Sequence, residues 1–276
     1  MTFQELFKNV PGADDFVGAM PQMWPVSLLQ DVYATFGALH LVGIGLMGGA
    51  VLLLNLRLMG ANPTGQSLPA VERSTRPWLI IGLGVVLVTG VIIGMLNSYR
   101  IYTSVPFFVK ITALVGACIL SFGVTNTLAR AEGKASPGVL IALGLAMLFW
   151  LVSLGVFQGD IIAAPGNFHA IAAGYALLLI FGQRTRWLAG AAFTLFYGGI
   201  FVMYWIVGFD TFDPLYDQIS YYVTIAGAVV MAGLYAFEIY TGKSDEATPT
   251  AKLIALFSML CWVTVAAGGR WIGFGA

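Results

Sequence analysis

The chain holds two histidines, and each closes the same ten-residue pattern, Asp-x-x-Ala-x-x-Gly-x-x-His. One copy runs from Asp31 through Ala34 and Gly37 to His40; the other runs from Asp160 through Ala163 and Gly166 to His169. A neutral imidazole can ligate a metal through one nitrogen while its other nitrogen donates a hydrogen bond. Both copies open long apolar stretches, which puts the imidazoles inside a membrane. Ionisable residues are costly there and mark cofactors, metals or proton paths. At helical rise each histidine lies ~13 Å below its aspartate, in the outer half of the bilayer. Two imidazoles at one height could take opposite faces of a single haem iron. The same pair would also suit two polar residues bonded across helices and inherited together by duplication.

The neighbouring residues bear on that choice. Ala34, Gly37 and Gly43 recur at helical spacing around His40, as Ala163, Gly166 and Ala172 do around His169. Small residues let a flat macrocycle approach a helix backbone, and they equally let two membrane helices pack closely. Arg100, Lys110 and Arg270 stand near outer helix ends, where they could meet haem propionates or simply reach the interface. Asp31 and Asp160 suit the positive ends of the helices they open. Glu238 falls at an inner interface. Cys118 and Cys261 lie in apolar helices, without CxxC spacing, and read as small core residues. The ten methionines form no copper-binding cluster. No phosphate-binding glycine loop, Ser/His/Asp set or HExxH motif occurs.

The elements that must carry these residues are membrane helices. The chain is 59% hydrophobic and 9% charged, outside the soluble range, and zero net charge gives no basic surface for nucleic acid. Eight apolar runs of spanning length are expected, at about 31–55, 78–97, 106–127, 138–158, 160–182, 187–208, 219–240 and 251–273. Nine lysines and arginines fall in connections on one side and four on the other, which predicts both termini outside. In a bacterial inner membrane that side is the periplasm. Residues 1–30, with Phe3, Phe7, Phe16, Trp24 and Pro25, are expected along the outer interface. No basic-then-apolar leader precedes the first span, which is therefore expected to direct insertion.

The duplication extends past the histidines. Arg57 matches Arg186, Gly45 matches Gly174, and Trp78 to Gly90 lines up with Trp187 to Gly199. Phe107 to Ile111 matches Tyr221 to Ile225, with Lys110 opposite Thr224, and Met147 to Trp150 matches Met259 to Trp262. Gln158 stands opposite Arg270. The expected organisation is two tandem, parallel four-helix repeats: helices 1–3 over 31–137, helix 4 over 138–158, and the second repeat over 160–276. A pseudo-twofold axis along the membrane normal would relate them.

Leu39-His40-Leu41-Val42-Gly43, continuing to Asn55-Leu56-Arg57-Leu58-Met59-Gly60, resembles the first helix of an uncharacterised family of bacterial four-helix membrane proteins. That family carries D-L-R-L-x-G where Asn55 opens the motif here. Thr89-Gly90, Phe107 to Lys110, Leu256 to Trp262 and Gly269-Arg270-Trp271-Ile272 share the resemblance, so it rests on helices 1 to 3 and helix 8. More loosely, the plan is similar to the CopD copper-resistance proteins and to HemJ-type protoporphyrinogen oxidases. The latter resemblance implies His40 as an axial ligand to haem b. The other histidine and charged motifs of that family are absent, so it does not extend to protoporphyrinogen oxidation.

The expected function is a b-type cytochrome with one haem between His40 and His169, passing electrons near the outer face to a quinone or a periplasmic redox protein. Gly37, Gly43, Gly166, Arg100, Lys110 and Arg270 are its candidate cofactor contacts. Two other readings stay open: a permease or metal-ion transporter using the same pair, and an accessory subunit of a larger membrane complex or homo-oligomer.

Overall fold

In a computed structural model the chain is described over residues 2–61, 65–156, 166–182, 184–205, 214–241 and 247–272. The described residues are helical, and seven of their helices are long and apolar enough to cross a bilayer. Two short helices, α1 (Phe3–Phe7) and α2 (Ala13–Ala19), precede α3 (Tyr33–Leu58) and α4 (Leu68–Leu96). A turn of helix, α5 (Ser98–Tyr102), leads into α6 (Val105–Cys118), a π-helical stretch over Ile119–Thr125, and α7 (Asn126–Arg130). These last three form one continuous span. The second half contains α8 (Pro137–Val156), α9 (Gly166–Phe181), α10 (Arg186–Trp205), α11 (Pro214–Thr241) and α12 (Pro249–Trp271). The fifth expected span corresponds to α9, 16 residues long; residues 160–165, including Asp160, lie outside the described residues.

Two boundaries differ from the sequence-based expectation for identifiable reasons. α4 begins at Leu68 rather than near 78 and runs through Pro77. Proline inside a helix forfeits one backbone bond, but this turn is anchored because Val71, Glu72 and Thr75 on its inner face are buried. The helical run containing α3 starts as a 3₁₀ stretch at Val26, so Asp31 is exposed within its early turns and the N-cap position falls to Val32, which makes no side-chain cap.

α12 is the centre of the bundle. Its apolar window is 72% buried, against 11% to 39% for the other six spans. It packs on α6, α9 and α3, while α3 lies along α4, α6 along α8, and α10 and α11 gather on α9. Small residues permit the closest approaches: Gly43 of α3 and Gly82 of α4 face one another, and a Cβ on Gly82 would stand 2.6 Å from the Met47 backbone nitrogen. Polar pairs tie the helices where apolar packing alone gives little specificity in lipid. The Asn55 amide donates to Ser258 Oγ at 3.1 Å, the Trp262 indole to Ser121 Oγ at 2.9 Å, and the Trp150 indole to Thr264 Oγ1 at 3.1 Å. In the second half the Tyr175 hydroxyl donates to the Gly227 carbonyl and that of Tyr235 to the Gly174 carbonyl, each at 2.7 Å.

At the end of the bundle that holds the α3–α4 connection, Glu72 is buried and pairs with Arg130 at 3.4 Å. Glu238 does more than sit at an interface. One carboxylate oxygen accepts from the backbone N–H groups of Arg184 and Thr185 and from the Thr185 hydroxyl, at 3.1, 3.0 and 2.9 Å. These are the donors just ahead of α10, so Glu238 fastens α11 to that helix start and opposes its positive end. At the opposite end the N-terminal segment folds over the bundle. The Phe3 ring meets Phe107 and Phe108 with centroids 5.7 and 5.6 Å apart, and the Ser98 hydroxyl donates to the Val17 carbonyl at 2.6 Å.

Candidate functional site

His40 sits on α3 one helical turn before Ile44, facing the middle of α4. Its ring lies over a gap left by Gly90, where a Cβ would come 3.3 Å from His40 Cε1. Its Nδ1 is 2.8 Å from Thr89 Oγ1. The direction of that bond follows from the threonine. A hydroxyl has one proton to donate, and Thr89 gives it to the Val85 carbonyl at 2.6 Å, a bond typical of threonine inside a helix. With its proton so placed the oxygen accepts from His40, which favours the tautomer with the hydrogen on Nδ1. In the neutral ring Nε2 is then the nitrogen with a lone pair, which is how outer partners prepare a histidine to bind metal.

Two large cavities meet at this residue. The first, about 770 Å³, lies beneath α1 and α2 and between α4, α5 and α6. The second, about 730 Å³, lies between α3, α6, α9 and α12. His40 and Lys110 line both. The Lys110 stem rests on α12 where Gly268 and Gly269 leave room: a Cβ would stand 3.2 Å from Lys110 Cβ at the first and 3.4 Å from Nζ at the second. Arg270, on the same helix, lines the second cavity, as do Ala173 and Ala176 of α9 and Trp262 of α12.

The residues expected at this site divide accordingly. His40, Lys110 and Arg270 come together around the second cavity. Arg100 is exposed on α5 and lines neither cavity. Gly43 is at the crossing with α4, its Cβ position 2.9 Å from Val86 Cγ2, so it serves helix packing. Gly37 lines neither cavity and a Cβ there would meet nothing within 4 Å. Gly166 is the first residue of α9. The His169 side chain lies outside the described residues; its backbone is in α9, four residues before Ala173. Thr89, which orients His40, and Trp262, on the cavity wall, were unassigned by sequence reasoning; both fell inside matched segments of the two halves.

The second cavity has the volume of a small-molecule or cofactor site and a largely apolar wall. Among the described residues no three or more His, Cys, Asp or Glu side chains group as metal ligands. One or two histidines nonetheless suffice for a haem iron, whose macrocycle supplies the equatorial nitrogens. A lone-pair-bearing Nε2, apolar walls and two cations for carboxylates form a donor set that fits haem. Thr89→Val keeps the shape and removes the acceptor for Nδ1–H. We expect it to weaken cofactor retention about 10-fold, with Thr89→Ser restoring most of it, read as haem per chain after dilution.

The fold and site define a multi-pass helical membrane protein. Residues 27–156, which run from the 3₁₀ turn before α3 to the end of α8, match the model of DUF6644, a family of unknown function. No curated protein and no solved structure matches the chain.

Proposed function

We propose that the chain is a membrane haem b protein in which His40 ligates iron through Nε2 from the wall of the second cavity. The observation that carries this is the Thr89 hydroxyl, 2.6 Å from the Val85 carbonyl and 2.8 Å from His40 Nδ1, an arrangement that favours the Nδ1–H form. Lys110 and Arg270 would hold the carboxylates, and Trp262 and the α9 alanines would supply apolar wall. Bound haem would supply reversible one-electron chemistry. His169 is proposed as the second residue that would hold the haem, supported by its place one turn before Ala173 on a helix that lines the same cavity.

The same reading takes the chain as two tandem four-helix repeats with α9 as the fifth crossing. Both termini then lie on the outer side of a bacterial inner membrane. Electrons would pass at that face, to a quinone in the bilayer or to a redox protein meeting Asp14, Asp15 and Asp31. Oxidised and dithionite-reduced absorption spectra of the detergent-purified chain, expressed with ample haem, test the proposal. One haem per chain with a sharp Soret shift on reduction is the expected result; a colourless folded protein overturns it.

A further inference from the structure

The first cavity meets the proposed cofactor cavity at His40 and Lys110 and extends away from it beneath α1 and α2. Its walls are almost wholly apolar, and its polar groups are few: His40 and Lys110 at the inner end, Ser98 and Tyr102 at the outer. Ser98 is already engaged with the Val17 carbonyl. Tyr102 is not. Its side chain is 6% exposed and lines the cavity, and its hydroxyl lies by the Asp14 carboxylate without a hydrogen bond of good geometry. A buried hydroxyl so placed calls for an explanation. Burial and the carboxylate of Asp14 raise the phenol above the ordinary tyrosine value, so it stays a proton donor.

The cavity also has a rim on the lipid side. Leu87 and Val91 of α4 line it while being 46% and 61% exposed on the outer surface of the bundle. A ligand entering there comes from the bilayer. It meets a hydroxyl donor near the membrane surface and an ammonium donor deeper in, with apolar wall between.

We propose that this cavity binds a lipophilic quinone, with Tyr102 donating to one carbonyl oxygen and Lys110 to the other, and the tail leaving past Leu87 and Val91. A flat apolar ring with an acceptor at each end offers a partner to each of the two donors. The proposal takes from the electron-transfer reading only the choice of a quinone among lipophilic dicarbonyl compounds. The two readings share Lys110, whose ammonium has three protons to donate, but quinone binding does not require haem, so the two can fail separately.

The test is equilibrium dialysis of decyl-ubiquinone against the full-length protein in detergent, with decylbenzene as the comparison ligand and haem content recorded in parallel. Saturable binding at one site per chain is expected for the quinone and not for the hydrocarbon. Tyr102→Phe should weaken it about 5-fold, the worth of one hydrogen bond, leaving the Soret band unchanged. Val91→Trp, a substitution on a lipid-facing position, should close the rim and remove saturable binding. Equal uptake of quinone and hydrocarbon would mean that the cavity holds acyl chains and would overturn the proposal. Unchanged affinity in both variants would overturn it as well. A colourless protein that still binds quinone would sink the haem reading and leave this one standing.

Discussion

Replacing His40 with alanine is expected to strip haem from the purified protein while leaving the bundle folded. The imidazole is only half-buried, and its removal orphans nothing: Thr89 keeps its own bond to the Val85 carbonyl. The loss should therefore report ligation and not collapse. It should exceed the ~10–100-fold that removal of an outer partner costs a metal site, because here the ligand itself goes. His169→Ala should do less. In the sequence match between the two halves, Thr89 stands opposite Gly198, which has no hydroxyl to orient an imidazole. The reading thus predicts an ordered series of haem per chain: wild type, Thr89→Val, His169→Ala, His40→Ala. The series is checked by pyridine haemochrome assay, with gel filtration confirming that each variant is monodisperse. Full haem retention in His40→Ala would remove the ligand assignment.

The largest effect on stability is expected at Gly82. An added methyl there would sit 2.6 Å from the backbone nitrogen of Met47, 2.8 Å from the Gly43 carbonyl and 3.0 Å from Met47 Cβ. Two of these are backbone atoms that can yield only if α3 and α4 move apart. Overpacking of this kind costs ~1–3 kcal/mol even where side chains can adjust, so Gly82→Ala should lie at or above the top of that range. Gly84, two residues on, provides the control: its Cβ position has nothing within 4 Å. Gly84→Ala should be neutral or slightly stabilising because alanine is the better helix former. Thermal unfolding of both variants in one detergent separates the two outcomes. Similar melting temperatures would refute the close crossing. Since His40 and Thr89 sit on these two helices, Gly82→Ala should also lower haem retention.

Much of the helical plan was legible because the signal is length and hydropathy, which lipid imposes directly. Seven of the eight expected spans appear among helices of spanning length. The start of α4 was misjudged because Pro77 and the charges at Glu72, Arg73 and Arg76 imitate a loop, whereas burial of Glu72 and its pairing with Arg130 are tertiary facts. His40 was legible because histidine is rare here and stands on an apolar helix. Thr89 was not, since a threonine inside a span ordinarily bonds its own backbone, and its second bond joins residues 49 apart in sequence. The central place of α12 was also hidden, because apolar residues facing lipid and facing protein look alike. The available clue was its small and hydroxylated residues, Ser258, Thr264, Gly268 and Gly269, which belong to an interior helix more than to a lipid-facing one.

The central position of α12 has a consequence for how the protein is made. Ribosomes deliver helices to the membrane in order, and α12 emerges after every helix it joins. Until then the faces of α3, α6 and α9 that it covers must be shielded by lipid or by the insertion machinery, with Asn55 and Ser121 still lacking their partners on α12. Completion of the fold is therefore a late event in translation. A nascent chain stalled before Pro249 would present quality-control proteases with polar groups open to the bilayer.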